Sequence, residues 1–322
     1  MKDRSAAGPG HVVVCLPDVP DLRHMGGFPA NVEVVLVSPG AGPIPDLARV
    51  DLIVPGDRVR QPLIDALATI GRPGVIQTLS AGVDWLVGRV PDGVLVYNAR
   101  GVFDVPLAEW VVGAILATQR GLLQARDAQA AEAWTSFEPQ ELAGRRAVIL
   151  GHGSIGTAVA DRLRPLGVEV VGVVRTAREG VFGMGDLDGV LQGAEILVNL
   201  LPLTNETVGL LDARRLALLP DGALVVNAGR GRTIDTAALV GELERGRLRA
   251  ALDVTDPEPL PPGHPLWALQ NALITPHVAG DSPEATVRAY ALAGDQVRRF
   301  AAGQPLINQV GRYLLDAIED RP

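Results

Sequence analysis

The sequence predicts an α/β protein built as two doubly wound parallel-sheet domains. Three observations carry that expectation. Apolar, β-branched runs of strand length recur along the chain, stretches with helical spacing separate them, and 322 residues at 47% hydrophobic content suffice for two cores of ordinary size. In the first hundred residues the runs are HVVVCLP, VEVVLVS, DLIVPG, VIQTLS and VLVYNA, parted by Gly, Pro and charged stretches that hold short helices or turns. They read as a five-stranded unit. The next segment, DVPLAEWVVGAILATQRGLLQARDAQAAEAW, keeps apolar residues at helical spacing for several turns, with Asp104 as candidate N-cap and Pro106 in the first turn. It reads as one long helix leading into a second domain.

That second domain offers six further strands, RAVIL, EVVGVV, EILVNLL, ALVVNA, LRAALDV and ALIT, alternating with helical patterns such as TAVADRLRPLG and IDTAALVGELERG. Such alternation predicts a parallel sheet with helices on both faces. After His277 a last amphipathic helix, PEATVRAYALAGDQVRRFAAG, is expected to cross back onto the N-terminal unit. The domains so drawn are residues 1–100 with 282–322, and residues 101–281. The chain shows no internal repeat, and only its first ten or so residues read as a disordered tail.

A formal charge of −8 and an isoelectric point near 5.2 leave no broad basic field for a nucleic-acid backbone, and no run of Lys and Arg supplies a local one. The single cysteine, Cys15, excludes an internal disulfide and a thiolate metal cluster. Its apolar surroundings in HVVVCL predict a buried structural thiol. The apolar run after MKDRSAAGPG is too short for a secretory signal, and no later stretch approaches the roughly 20 apolar residues of a membrane span. The expectation is a cytoplasmic protein without nucleic-acid or membrane partners.

Directly after RAVIL comes GHGSIG at 151–156. A Gly-x-Gly-x-x-Gly alone also serves ordinary turns and close helix packing. Here a strand precedes it, and a helix and the strand EVVGVV follow. In that setting Gly151 permits the tight turn, Gly153 lets a pyrophosphate approach the N–H groups at the helix start, and Gly156 lets helix and strand pack closely. A dinucleotide site is expected. At the end of EVVGVV, where an Asp or Glu would bind the ribose hydroxyls of NAD, stands Val174, followed by Arg175, Thr176 and Arg178. This cationic, hydroxyl-bearing turn suits a 2′-phosphate, so NADP is the expected cofactor, with NAD as second choice. Glu169 lies at the strand's far end and Glu179 a turn beyond, and neither is expected to reach the ribose.

Arg230, Glu258 and His277 each lie just after an expected strand, where open α/β sheets place their ligands. Singly, each also fits a surface arginine, a solvated turn acid or a satisfied loop histidine. Together they suit hydride transfer to a carbonyl. A guanidinium grips a carboxylate through two parallel hydrogen bonds, an imidazolium gives a proton to a developing alkoxide, and a carboxylate keeps that imidazole charged and oriented. His11, His24, His152 and His264 lack such context and read as structural or solvent-facing, and no metal site is expected.

With these residues in view, the chain resembles the D-isomer-specific 2-hydroxyacid dehydrogenases, a family that includes glyoxylate and hydroxypyruvate reductases. The likeness runs through SAGVDWL at 80–86, the GHGSIG loop, LLPLTNETVGL at 200–210, NAGRGRTID at 227–235, ALDVTDPEPLPPGHPLW at 251–267 and TPHVAG at 275–280. The resemblance implies a Rossmann nucleotide-binding domain inserted into a flavodoxin-like substrate domain, and homodimers joined through the nucleotide domains. It implies that Arg230 binds the substrate carboxylate, His277 is the acid/base and Glu258 its partner, with backbone N–H groups around Ala81, Gly82 and Val83 also holding the carboxylate. Implied cofactor contacts are Ser154 and Ile155 at the pyrophosphate, Leu201, Pro202 and Thr207 along the adenosine side, Ala228 and Gly229 beside Arg230, and Asp253 at the nicotinamide carboxamide. The wall of the substrate pocket is expected from the loops near Gly56, Ala81 and Trp85, with Trp134 of a partner subunit as a further candidate.

The implied activity is reversible hydride transfer between NADP(H) and a small 2-oxo or 2-hydroxy acid. Two alternatives stay open at this point: a phosphite-type dehydrogenase of the same superfamily, and a nucleotide-sensing protein like the C-terminal-binding transcriptional corepressors. A formate dehydrogenase is disfavoured, because those relatives carry Gln where Glu258 stands.

Overall fold

The computed structural model describes residues 10–38, 46–56, 60–70 and 74–316. Nearly all of the expected N-terminal tail lies outside that range. The described chain divides into two compact units, one formed by the residues up to Phe103 and from Ser282 onward, the other by Asp104–Asp281. The first unit contains β1 (Val12–Pro17), β2 (Val32–Val37), β3 (Leu52–Ile53), α1 (Arg60–Ile70), β4 (Val75–Gln77) and β5 (Leu95–Tyr97). The second runs through α2 (Asp104–Gln119), α3 (Leu122–Ala130), β6 (Arg146–Leu150), α4 (Ser154–Leu163), β7 (Glu169–Val174), β8 (Phe182–Gly183), α5 (Leu187–Leu191), β9 (Ile196–Asn199), α6 (Ala213–Leu216), β10 (Leu224–Asn227), α7 (Thr236–Glu244), β11 (Arg249–Leu252) and β12 (Ala272–Ile274). The chain then returns to the first unit as α8 (Pro283–Ala301).

Both sheets are parallel, in the orders β2-β1-β3-β4-β5 and β12-β11-β10-β9-β6-β7-β8. The period-two alternation of strand side chains explains the layers. In β1, Val13 and Cys15 turn to the face covered by Leu63, Ile64 and Leu67 of α1. Val12, Val14 and Leu16 turn to the face covered by Tyr290, Ala293 and Val297 of α8. Cys15 is inaccessible to solvent, and burial pushes its thiol up to about 12. In β6, Ala147 and Ile149 pack with Val111 and Ile115 of α2 and Val159 of α4, whereas Val148 and Leu150 pack with Leu191, Leu216 and Leu239 from the opposite helical layer. Every strand run read from the sequence is a strand. Among the described residues no helix is long and apolar enough to cross a membrane.

Three details differ from the sequence reading. The expected single helix over 104–134 is broken, because Gly121 takes a left-handed conformation at φ +64° between α2 and α3 and the Phe137 ring packs where a side chain on Gly121 would stand. Asp104 lies in the first turn of α2 instead of capping it, and its carboxylate accepts a hydrogen bond from the Ser154 hydroxyl at the start of α4. β8 was not expected, since Phe182–Gly183 is too short to show a pattern.

In the second unit the loops after β10 and β11 touch backbone to backbone at Gly231, where a Cβ would run into the Thr255 carbonyl. Gly231→Ala is therefore expected to lower stability by about 1–3 kcal/mol, as overpacked sites do. A denaturant titration checks this, and an unchanged midpoint would mean that the two loops do not meet.

Candidate active site

β6 is the strand from which the chain proceeds outward to β7 and β8 on one side and to β9 through β12 on the other. Ligands of open α/β sheets bind at the carboxyl ends of strands around such a reversal. The glycine loop leaves β6 there. Gly151 has φ +86°, and a Cβ on it would stand 2.9 Å from the Leu200 carbonyl oxygen; a Cβ on Gly156 would stand 2.7 Å from the Gly151 carbonyl oxygen. A Cβ on Gly153 would meet nothing within 4 Å. The first and third glycines are thus required by packing, while the second leaves open space before α4. The N–H groups of Ser154 and Ile155 donate to no protein acceptor among the described residues. Open space in front of free helix-start donors fits the pyrophosphate of a dinucleotide.

His152, within this loop, is 7% exposed. Its ring fills the space over Gly172, where a Cβ would approach His152 Cγ to 2.6 Å. Burial, and then the charges of Arg164 and Arg178, push its pKa down. The structural reading of His152 holds, and the neutral imidazole acts as packing beneath the loop.

The turn after β7 is closed by reciprocal backbone bonds between Arg178 and Val181. Arg178 Nη2 donates to the His152 carbonyl at 2.9 Å, tying the turn to the glycine loop. Thr176 is exposed beside it. Arg175 Nη2 donates to Glu206 Oε1 at 2.7 Å, a carboxylate partner for the turn that the sequence reading did not include. Sequence reasoning missed Glu206 although LLPLTNETVGL contains it, because no spacing along the chain says that the loop after β9 meets the turn after β7. In that loop Leu201 is buried, and the Thr207 hydroxyl donates to the Pro202 carbonyl at 2.6 Å while accepting from Thr204 N at 2.8 Å. A Cβ on Gly229 would stand 2.8 Å from the Leu201 carbonyl oxygen, so Leu201 and the 228–230 segment are in contact.

Arg230, Glu258 and His277 follow β10, β11 and β12, three successive strands ending on one edge of the sheet. With neighbouring strands about 5 Å apart, the outer two chain paths are separated by about 10 Å, within the joint reach of Arg and His side chains. Arg230 is fixed by a buried network that the sequence did not reveal. Asn199 Nδ2 donates to Asn227 Oδ1 at 2.9 Å and to Thr233 Oγ1 at 2.6 Å, and the Arg230 carbonyl accepts from Asn227 Nδ2 at 3.2 Å and from Thr233 Oγ1 at 2.6 Å. The Arg230 guanidinium donates to the Gly229 carbonyl through Nη1 at 2.6 Å.

His277 Nδ1 lies 2.5 Å from Glu258 Oε1, and both side chains are partly open to solvent. His277 Nε2 has no protein partner among the described residues. The backbone of His277 has φ +56°, a conformation that costs a non-glycine residue of order 1–3 kcal/mol unless its surroundings hold it. Asp253 supplies that hold. Its carbonyl accepts from His277 N at 2.9 Å, and its carboxylate accepts from Thr275 Oγ1 at 2.6 Å, Val278 N at 2.9 Å and Ala279 N at 2.9 Å. The side chain expected at the nicotinamide carboxamide is first of all the clamp of the His277 loop.

In the first unit the segment 80–83 turns its carbonyls inward. Ser80 O accepts from Thr78 Oγ1 at 2.7 Å, Ala81 O from Asn98 Nδ2 at 2.7 Å, and Gly82 O from Ser80 Oγ at 2.8 Å. The N–H groups of Ala81, Gly82 and Val83 donate to no protein acceptor among the described residues. Successive unsatisfied amides of this kind attract an anion.

The family model for the NAD binding domain of D-isomer specific 2-hydroxyacid dehydrogenases matches residues 112–279. A glyoxylate reductase of Aeropyrum pernix is 36% identical over 268 residues, 78% of this chain and 80% of that one. A D-isomer specific 2-hydroxyacid dehydrogenase from Xanthobacter autotrophicus Py2, solved in complex with NADPH and MES, is 34% identical with a TM-score of 0.78, over 94% of this chain and 98% of that one. An NADPH-dependent glyoxylate/hydroxypyruvate reductase from Sinorhizobium meliloti, solved in complex with NADP and sulfate, is 29% identical with a TM-score of 0.81, over 93% of this chain and 98% of that one. The seven-stranded unit is a Rossmann domain, and the chain belongs to the D-isomer specific 2-hydroxyacid dehydrogenases, enzymes that use NAD(P) to interconvert small 2-hydroxy and 2-oxo acids.

Proposed function

We propose that the protein is an NADPH-preferring reductase of small 2-oxo acids of the glyoxylate and hydroxypyruvate kind, working reversibly as a cytoplasmic homodimer. The observation that carries this reading is the His277–Glu258 pair at 2.5 Å with the second imidazole nitrogen left without a protein partner. Relatives support the substrate class and the cofactor: one similar chain is a glyoxylate reductase, and similar structures hold NADPH or NADP.

The cofactor, when bound, supplies the hydride. On this reading the glycine loop and the N–H groups of Ser154 and Ile155 take its pyrophosphate, Arg175, Thr176 and Arg178 its adenosine end, and the 228–229 segment and Asp253 flank the other end. Arg230 offers its planar fork to the substrate carboxylate and draws electron density from the adjacent carbonyl. The amides of Ala81, Gly82 and Val83, in the first unit, are by themselves suited to hold an anion. His277 Nε2 donates a proton to the carbonyl oxygen as negative charge develops there, and Glu258 accepts from Nδ1, which fixes ring orientation.

Three measurements test the proposal. His277→Ala should leave NADPH binding intact and lower kcat about 10²–10⁴-fold, the usual contribution of a general acid/base; near-normal turnover would remove His277 from the mechanism. Across glyoxylate, hydroxypyruvate and pyruvate, kcat/KM with NADPH should exceed that with NADH by roughly ten- to a hundredfold, the worth of one charge-assisted hydrogen bond to the 2′-phosphate. A ratio at or below one would overturn the cofactor assignment, and no turnover of any of the acids would favour a sensor or a phosphite-type enzyme. The fully exposed Trp134 and an α3 without buried residues suggest a face made for a second copy, so sedimentation should give a dimer that Trp134→Ala weakens; a monomeric wild type would refute this part.

A further inference from the structure

The ion pair between Arg175 and Glu206 links the ends of two strands that are not neighbours. Arg175 follows β7, Glu206 lies in the loop after β9, and β6 runs between those strands. With 2.7 Å between Arg175 Nη2 and Glu206 Oε1, the pair bridges the carboxyl end of β6, where the glycine loop departs. The Glu206 backbone is held in place, since its neighbour Thr207 is buried and bonded to Pro202 and Thr204. Its side chain is 60% exposed and that of Arg175 54%, so an incoming anion can reach the guanidinium. Arg178, the other cation of the turn, points instead at the His152 carbonyl.

We infer that Glu206 competes with the cofactor's 2′-phosphate for Arg175 and thereby sets how strongly the enzyme distinguishes NADP from NAD. The inference rests on the proposed seat of the 2′-phosphate at this turn. A phosphate of nearly two charges outcompetes a single carboxylate, and an exposed ion pair yields readily. Once displaced, the Glu206 carboxylate remains near the phosphate and repels it. NAD carries no such group, leaves the pair intact, and gains nothing from the removal of Glu206. The acid therefore narrows a preference that Arg175 creates, a specificity set partly by repulsion.

The test is a fluorescence titration of the full chain with NADPH and with NADH, without substrate, for the wild type, Glu206→Gln, Arg175→Ala and the double variant. Glu206→Gln should bind NADPH about two- to tenfold more tightly, the effect being larger at low salt, and NADH as before. Arg175→Ala should weaken NADPH binding, and in its background most of the gain from Glu206→Gln should vanish, as for two residues acting through one contact. If Arg175→Ala weakens NADPH but Glu206→Gln changes nothing, or tightens both nucleotides equally, the competition is wrong and the seat of the phosphate stands. If Arg175→Ala leaves NADPH binding unchanged, the seat itself is wrong.

Discussion

The placing of the His277–Glu258 pair depends on one buried carboxylate that belongs to the scaffold. Asp253 is 3% exposed, and a charge at that depth is tolerable only when its oxygens are hydrogen-bonded. Thr275, Val278 and Ala279 supply those bonds. Satisfying the charge thus requires the segment after β12 to wrap around the end of β11, and the wrap forces His277 into its left-handed conformation beside Glu258. The desolvation of one residue fixes the geometry of another at the end of the neighbouring strand.

A parallel logic holds Arg230, the residue proposed to bind the substrate. Asn199, Asn227 and Thr233 are all 1% exposed or less, and their amides and hydroxyl have no water to bond with. They bond to one another and to the Arg230 carbonyl. Buried polar groups that must be mutually satisfied form a rigid unit, so the backbone from which the guanidinium projects has little freedom.

The strands were legible in the sequence because a buried parallel strand is a continuous apolar run, and the candidate site residues because they lie in the loops that follow such runs. The glycines were legible because steric demand excludes every other residue at Gly151 and Gly156. What stayed hidden depends on contacts between distant segments. Glu206 reads as a polar residue in a loop until the order of β7, β6 and β9 brings it to Arg175. The internal donors of Asp253 come from Thr275, Val278 and Ala279, more than twenty residues on, and no local pattern announces them. The break at Gly121 was hidden because helical periodicity continues across it, and only Phe137, sixteen residues on, makes the glycine necessary.

The return of α8 to the first unit has a consequence for how the molecule is made. Asn31 Nδ2 bonds to the carbonyl of Ala301, 270 residues away, and the face of β1 formed by Val12, Val14 and Leu16 is covered by side chains of the same helix. During synthesis this apolar face waits, while every strand of the Asp104–Asp281 unit is already available to assemble. The inserted unit can thus fold ahead of the unit that begins the chain. Slow, long-range closure leaves exposed apolar surface in the interval, so this face of β1 stays uncovered until α8 emerges.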